Sequence, residues 1–295
     1  KEPITPIPTE ISLDAAKVAL GEKLFNDPQL SHDNTVSCAS CHSMTLGGTD
    51  QKAHSTGING QAGGINAPTV FNSGYNFKQF WDGRADTLEE QVNGPTHAAG
   101  EMGSTWEEIV SKLSQSPEYV SAFGQVYGAG VTDENIRKAI AEFERSLTTP
   151  DSRFDQFLKG NQDALTADEK EGYHLFKSVG CVSCHQGVNV GGNLFQEFGV
   201  MGDYFSDRGN LTKADLGRYN VTHRESDKYV FKVPSLRNVS QTHPYFHDGS
   251  AKTLEDAVAV MSKYQLGRPL SPDEIHSIVK FLKSLDGVYT RYGTK

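Results

Sequence analysis

The sequence lacks the features that mark a membrane-spanning or nucleic-acid-binding chain. Hydrophobic residues make up 36% of its 295 residues, and no apolar run is long enough to cross a bilayer. Acidic residues outnumber basic ones by 37 to 28, and the net charge of −9 argues against a surface for nucleic acid or anionic lipid. Cysteine is also scarce, at four residues, but a chain of this length can bury a sizeable core without disulfides.

The four cysteines form two pairs, and histidine follows each pair at once. The two motifs are Cys38-x-x-Cys41-His42 and Cys181-x-x-Cys184-His185. This spacing is the attachment signature of a c-type haem, because thiols one helical turn apart reach the two vinyl groups and the histidine reaches the iron. A zinc site, a thioredoxin-like site or disulfides would leave both histidines unexplained. The sequence therefore predicts two covalently bound haem c groups.

Helix signals dominate the remainder, so the predicted fold class is mainly α. Apolar periodicity and capping residues predict helices over 13–25, 104–113, 133–147, 253–264 and 271–285, with further helix starts at 116–117 and 166. The best strand signal covers only 229–233. Long loops rich in Gly, Asn and Asp, at 47–76 and 187–224, are expected to wrap the haems.

A short repeat points to two related units. Gly21-x-x-Leu24-Phe25 precedes the first haem motif, and Gly172-x-x-Leu175-Phe176 precedes the second. Proline at 150 blocks continuation of the preceding helix. We therefore expect two cytochrome c-like haem domains with long loops, over 1–150 and 151–295.

The ligand opposite each proximal histidine decides whether a haem transfers electrons or binds a substrate. For the haem of His185, Met261 lies on a predicted helix far downstream; it is either the distal ligand or a core methionine. The first motif has no comparable methionine. Its following loop carries His54, which is either an iron ligand or an exposed loop histidine.

The chain resembles the bacterial dihaem cytochrome c peroxidases over nearly its whole length. The motifs that carry the resemblance are Leu46-Gly47-Gly48-Thr49-Asp50, Asn66-Ala67-Pro68-Thr69-Val70-Phe71-Asn72, Gln79-Phe80-Trp81-Asp82-Gly83-Arg84, Gly94-Pro95, Glu101-Met102, Pro234-Ser235-Leu236-Arg237-Asn238-Val239, Pro244-Tyr245-Phe246-His247-Asp248-Gly249 and Gln265-Leu266-Gly267. The resemblance implies reduction of hydrogen peroxide to water, with a peroxidatic haem in 1–150 and a high-potential electron-transfer haem in 151–295.

The resemblance also implies roles for single residues. Met261 matches the distal methionine of the high-potential haem, and Trp81 matches the tryptophan between the two haems. Glu101 matches the distal-pocket glutamate. His97 stands where relatives often carry Gln, and could supply a second acid/base group.

The same resemblance implies two further sites. Asn66, with the carbonyls of Thr242 and Pro244, matches a calcium site, and such oxygen ligands suit a hard cation. The family's distal histidine, counted without gaps from His42, falls on Ile58. Either His54 ligates from a shifted loop, or the sixth position is open.

The expected partners and location complete the hypothesis. The donor is expected to be a small cytochrome c or a cupredoxin with a basic docking face, because this chain is acidic. The resemblance implies a homodimer, and haem attachment implies an exported, periplasmic chain whose extended start reads as a processed terminus. The rival functions are a dihaem electron carrier, a dihaem sensor, and an enzyme like the methylamine dehydrogenase maturation protein, which has Tyr in place of Met261.

Overall fold

A computed structural model describes residues 2–294, and most of its regular structure is helical, as predicted. The helices are α1 (Ala15–Phe25), α2 (Cys38–Cys41), α3 (Leu88–Gln91), α4 (Asn93–His97), α5 (Trp106–Ser114), α6 (Pro117–Tyr127), α7 (Asp133–Ser146), α8 (Arg153–Leu158), α9 (Ala167–Ser178), α10 (Tyr204–Arg208), α11 (Tyr219–Thr222), α12 (Leu254–Tyr264) and α13 (Pro272–Lys283). Short 3₁₀ helices cover Pro28–Leu30, Met44–Leu46, Ile58–Gly60, Ser73–Tyr75, Gln162–Ala164, Cys181–Ser183, Ala214–Leu216, Glu225–Asp227 and Val239–Gln241. Within 2–294, no helix combines the length and the apolar character that a bilayer span requires.

Strand structure is limited to one small antiparallel pair in the second half. The strands are β1 (Phe195–Glu197) and β2 (Val230–Lys232), and Phe195 is the partner of Lys232. The predicted strand at 229–233 is therefore confirmed. Its partner was missed because β1 lies inside a Gly-rich stretch that has no strand periodicity of its own.

The predicted helix caps agree with the structure except at Ser104, and the helix predicted over 13–25 begins at Ala15. The caps at Ser116, Thr166 and Ser271 are confirmed. The expected capping box that begins at Ser104 is wrong by one residue, because Thr105 accepts the hydrogen bond from the backbone N–H of Glu108. The Ser104 hydroxyl instead donates to the Glu108 carboxylate at 3.1 Å.

Buried apolar side chains form two large clusters, one from each half of the chain. The first draws on residues between 18 and 147, and the second on residues between 154 and 285. Each end of the chain packs against the apolar cluster of the opposite half. Ile4 packs in the second cluster, whereas Tyr289 and Tyr292 pack against the first. Each half is therefore completed by a short segment from the far end of the sequence.

The G-x-x-L-F repeat has the same physical role in both halves. In α1, a Cβ atom at Gly21 would lie 1.9 Å from the carbonyl oxygen of Ala139 in α7. In α9, a Cβ atom at Gly172 would lie 2.0 Å from the carbonyl oxygen of Ser277 in α13. Only glycine permits these helix pairs to approach so closely. Each close crossing precedes a haem motif in the chain.

A second set of equivalent positions lies in two short loops, 79–85 and 245–251. Gln79 and Ala85 form an isolated antiparallel bridge, as do Tyr245 and Ala251. The second residue of each loop has a positive φ, 69° in one case and 72° in the other. Trp81 and His247 therefore occupy equivalent positions in the two halves.

The two halves are joined by a reciprocal pair of backbone hydrogen bonds. The N–H of Lys232 donates to the carbonyl of Trp81 at 2.8 Å, and the N–H of Asn66 donates to the carbonyl of His247 at 2.7 Å. Each bond runs from one half to the other. The acceptors Trp81 and His247 occupy equivalent positions in the two halves. The donors Lys232 and Asn66 therefore also occupy equivalent positions.

Thr149, in the predicted boundary, lies buried at the same junction. Its hydroxyl oxygen accepts hydrogen bonds from the side-chain amides of Asn72 and Asn238, at 2.9 and 2.8 Å. Both asparagines have positive φ, which asparagine tolerates better than most residues. The buried Thr149 therefore fixes the chain where it passes between the halves.

We predict that Gly21→Ala destabilises the protein by about 1–3 kcal/mol, since the new methyl group must push α1 away from α7. Thermal unfolding of the haem-loaded protein measures this. Gly124→Ala in α6 is the matched control, because nothing lies within 4 Å of its new Cβ atom, and it should instead stabilise by about 1 kcal/mol. Equal effects of the two substitutions would contradict the close helix crossing.

Candidate functional site

The first C-x-x-C-H motif begins on α2, which presents both thiols on one short helix. Cys38 and Cys41 are half-buried and are not joined to each other. Burial raises the pKa of Cys38 to about 12, so this thiol is not a preformed thiolate of a redox site. The backbone N–H of His42 donates to the carbonyl of Cys38 at 3.1 Å, which places the imidazole directly after the helix.

The two proximal histidines are held in the same way. Nδ1 of His42 donates to the carbonyl of Gly48 at 3.1 Å, and Nδ1 of His185 donates to the carbonyl of Val190 at 3.3 Å. Burial lowers the pKa of both, that of His185 to about 4. Each imidazole is therefore neutral, with its proton fixed on Nδ1 and its Nε2 lone pair available to a metal.

The second motif opens onto a large cavity of about 490 Å³. Cys181, Cys184 and His185 line it, and Met261 from α12 lines it as well. The structure thus brings the predicted distal methionine and the predicted proximal histidine to one cavity. The walls are mainly apolar, which suits a porphyrin ring. The residues present therefore fit a haem with His/Met ligands.

Trp81 reaches this cavity from the other half of the chain. Its side chain lines the same space as His185, and its indole N–H donates to the carbonyl of Asn66 at 2.9 Å. The ring also meets that of His247 edge to face, with centroids 6.4 Å apart. Trp81 therefore lies between the first half and the cavity of the second.

His247 belongs to a buried cluster that has no role in the hypothesis drawn from the sequence. It stacks on Phe231 with ring centroids 4.4 Å apart, and its Nε2 lies 2.7 Å from the Asp215 carboxylate. Burial lowers the pKa of His247, while Asp215 acts in the opposite direction. Its place within the motif Pro244–Gly249 was the only sequence signal for it.

Arg208 completes the cluster. Its guanidinium donates to Asp215 at 2.9 Å and to Asp248 at 2.6 Å. Burial acts to raise the pKa of Asp215, but hydrogen bonds from Arg208, Thr212 and His247 outweigh it and hold that pKa well below its usual range. The two carboxylates lie close enough to His247 to hold a metal ion, but Arg208 already donates hydrogen bonds to both of them.

His54 is exposed and lies beside this cluster. It lines a separate cavity of about 250 Å³ together with Arg208, Asp215 and Asp248. Ile58, at the position expected for the family's distal histidine, is buried at 5% exposure, and its N–H donates to the carbonyl of Glu101 at 2.8 Å.

Glu101 and His97 lie on one tight segment that begins in α4. The N–H of Glu101 donates to the carbonyl of Ala98 at 3.0 Å, and the next side chain, Met102, is buried. The Glu101 side chain reaches the surface of the polypeptide. The protein around its carboxyl group raises the pKa of Glu101, and the Arg84 guanidinium acts in the opposite direction.

His97 is exposed and has a defined orientation. The Thr96 hydroxyl donates to the carbonyl of Val92 at 2.7 Å, so it must accept from Nδ1 of His97 at 2.8 Å. The ring meets Trp106 edge to face, with centroids 5.3 Å apart. This arrangement leaves Nε2 of His97 as a hydrogen-bond acceptor.

The three predicted calcium ligands, Asn66, Thr242 and Pro244, all line the cavity that also contains His185 and Met261. The Asn66 side-chain amide donates to the carbonyl of Lys52 at 2.8 Å, which leaves its oxygen as an acceptor. Within residues 2–294, no backbone N–H donates to the carbonyls of Thr242 or Pro244. These three oxygens are a suitable partial ligand set for Ca²⁺.

Comparison with known proteins decides the family. The family model of di-haem cytochrome c peroxidases matches residues 15–163. The cytochrome c551 peroxidase of Nitrosomonas europaea is 48% identical over 287 residues, which are 97% of this chain and 84% of that protein. The chain belongs to the di-haem cytochrome c peroxidase family. The resemblance inferred from the sequence motifs is therefore confirmed, and the family implies two haem c groups.

Two further proteins are similar to this chain over nearly its whole length. The cytochrome c peroxidase Ccp of Escherichia coli is 51% identical over 292 residues, or 99% of this chain, but the match covers only 62% of the length of that relative. The crystal structure of a MauG-like protein associated with microbial copper homeostasis superposes with a TM-score of 0.82 at 28% identity, covering 97% of this chain and 93% of that one. The chain therefore spans under two thirds of the E. coli protein.

We predict that Asp215→Asn lowers the free energy of unfolding at pH 7 by about 3–5 kcal/mol, because it leaves Arg208 without one buried partner. The pKa of Asp215 is depressed on folding, so the carboxylate stabilises the protein above its unfolded pKa of about 3.9 and not below its folded one. The difference between wild type and variant should therefore shrink as the pH falls below about 4.

Urea unfolding over a range of pH measures this difference. The control is Asp168→Asn, which removes an exposed carboxylate paired with Lys280 and should change stability little. A pH-independent effect of Asp215→Asn would contradict the buried ion-pair cluster.

Proposed function

We propose that this chain reduces hydrogen peroxide to water with electrons from a small redox protein. The supporting observation is the unlike surroundings of the two haem motifs. The cavity of His185 contains Met261, which suits a six-coordinate electron-transfer haem. The first half instead offers Glu101 and His97, four residues apart on one short segment, as groups that suit proton transfer.

The two haem domains follow as part of this proposal. Residues 1–150 hold the peroxidatic haem through Cys38, Cys41 and His42, and residues 151–295 hold the electron-transfer haem. The pair of close helix crossings before the motifs supports a cytochrome c-like unit in each half. The exchanged terminal segments then tie the two units together.

Proton transfer at the first haem is assigned to Glu101. The haem supplies the iron that binds peroxide and the electrons that reduce it. Glu101, ionised beforehand, takes the proton of the inner peroxide oxygen and delivers it to the outer oxygen, which leaves as water. The raised pKa of Glu101 makes its carboxylate a better proton acceptor than an ordinary surface glutamate. His97, with Nε2 as an acceptor, is a second group that holds a proton or orients peroxide.

Electron transfer between the halves is assigned to Trp81. The complete reaction consumes two electrons and two protons for each peroxide reduced to two waters. His185 and Met261 would hold the haem that accepts electrons from the donor, and that haem would supply them one at a time to the first half. Trp81 stands on this route because it comes from the first half and lines the cavity of the second.

The sixth position of the first haem is proposed to be open at rest. His54 lies beside Arg208 and Asp215, and the loop position equivalent to the family's distal histidine carries the buried Ile58. Packing also holds this loop in place, since a Cβ atom at Gly57 would lie 1.9 Å from the carbonyl oxygen of Gly100. In this arrangement no histidine has to leave before peroxide binds.

Calcium, location and assembly complete the proposal. Asn66, Thr242 and Pro244 hold Ca²⁺ at the junction of the halves. The chain acts in the periplasm, where c-type haem is attached, and forms a homodimer. Its electron donor is a small cytochrome c or a cupredoxin with a basic face, which complements the net charge of −9.

Two rival functions make different predictions. A dihaem electron carrier leaves Glu101 and Trp81 without a role and does not react with peroxide. An enzyme like the methylamine dehydrogenase maturation protein has Tyr where this chain has Met261. Steady-state oxidation of a reduced cytochrome c by peroxide separates the proposed peroxidase from both rivals. Failure with several donors, in both oxidation states of the second haem, would favour the carrier.

We predict that Glu101→Gln lowers peroxidase turnover by at least 100-fold, because general acid–base groups contribute about 10²–10⁴-fold. Glutamine keeps the shape of the side chain but cannot accept the proton. The haem spectra and peroxide binding should remain close to those of the wild type. The measurement is stopped-flow kinetics together with steady-state turnover.

The matched control for this experiment is Glu107→Gln, which changes an exposed carboxyl group in the first turn of α5. It should leave turnover unchanged. Turnover at the wild-type level in Glu101→Gln would remove Glu101 from the mechanism.

We predict that Asn66→Ala weakens Ca²⁺ binding by at least tenfold, because it deletes one of three proposed protein ligands. Isothermal titration calorimetry on the haem-loaded protein measures the affinity. The control is Asn220→Ala, which also removes an amide that donates to a carbonyl, that of Lys213 at 2.8 Å. Equal Ca²⁺ affinity in wild type and Asn66→Ala would contradict the site.

A further inference from the structure

Lys232 is a buried lysine without a carboxylate partner. Its side chain is 6% exposed, and within residues 2–294 its ammonium makes one hydrogen bond, to the carbonyl of Lys78 at 3.2 Å. Burial lowers the pKa of Lys232 to about 8, and the more distant Asp82 acts in the opposite direction. An ammonium has three donors, so this arrangement leaves a buried charge without a counter-ion, which is costly.

Lys232 is one of the residues that line the cavity of the second haem motif, together with His185 and Met261. Its backbone position is fixed from two sides. The N–H donates to the carbonyl of Trp81, and the residue pairs with Phe195 in the antiparallel ladder of β1 and β2. The backbone of Lys232 is therefore held beside this cavity by the bond from the other half and by the β1–β2 ladder.

A haem brings two propionate carboxylates into its cavity. We propose that the ammonium of Lys232 forms an ion pair with a propionate of the haem held by His185, and thereby raises the reduction potential of that haem. This inference rests on the proposed function, which assigns the electron-transfer haem to that cavity. A fixed positive charge stabilises the reduced haem, which carries one positive charge fewer than the oxidised haem, and low dielectric surroundings strengthen the effect.

The equivalent residue of the first half is different. Lys232 and Asn66 occupy equivalent positions, since each donates its N–H to the carbonyl of an equivalent residue, Trp81 or His247. Asn66 is uncharged. A positive charge at its position in the first half therefore has to be supplied by a bound ion. Lys232 therefore gives the second half a permanent charge of its own, and its haem is the one that must hold the higher potential.

The test is Lys232→Met in the haem-loaded protein, with the midpoint potential of each haem followed by spectroelectrochemical titration. The haem held by His185 should become at least tenfold harder to reduce, a fall of about 59 mV for a one-electron couple. Lys232→Arg keeps the charge and should restore most of this loss. Lys252→Met is the control, because Lys252 is exposed and its loss lowers the net charge equally.

Haem content and circular dichroism are measured first for each variant. Lys232→Gln, which retains polarity without charge, replaces Lys232→Met if the latter does not fold, and should show the same fall. An unchanged potential in the folded variant overturns the ion pair while leaving the proposed function standing. A wild-type chain with no haem at His185 overturns both, so the two failures are distinguishable.

Discussion

The arrangement of the molecule depends on one reciprocal contact, in which the N–H groups of Asn66 and Lys232 donate across the junction to the carbonyls of His247 and Trp81. Because the bonds are buried and join backbone to backbone, they fix the register of the two halves without restricting the side chains. Each half is thus free to place different chemistry at equivalent positions. Trp81 is carried into the wall of the second cavity by this contact, and so is Lys232.

A duplicated scaffold with unlike sites explains why one chain carries two haem motifs. The close crossings at Gly21 and Gly172 are almost identical in geometry, and so are the hydrogen bonds that hold His42 and His185. The two halves differ in the residues proposed to lie opposite the proximal histidines. A strong second ligand such as a methionine favours electron transfer, whereas a proton-transferring carboxyl group near an open position favours chemistry on a bound substrate. The proposed division of labour needs only this difference.

The sequence predicted those features that depend on local spacing. The haem motifs, the helix caps at Thr166 and Ser271, and the helix that carries Met261 could all be found in this way, because their signals lie within one helical turn or one period. His185 and Met261, which the sequence analysis assigns to one haem, line one cavity.

Other features depend on contacts between distant parts of the chain and had no local signal. The ion-pair cluster of Arg208, Asp215 and Asp248 is one example, since its members are separated by long irregular segments. The burial of Lys232 is another, because lysine in a short strand is usually exposed. The place of His54 beside this cluster, and the exchange of the chain ends between halves, likewise follow from tertiary packing alone.

The most direct test of the central claim is electron paramagnetic resonance on the haem-loaded chain, poised so that only the haem held by His185 and Met261 is reduced. The account predicts one remaining ferric signal, from the haem held by His42, which changes when cyanide is added because that haem has an accessible position. A signal that cyanide leaves unchanged, in both oxidation states of the other haem, would contradict the account and would identify the chain as an electron carrier.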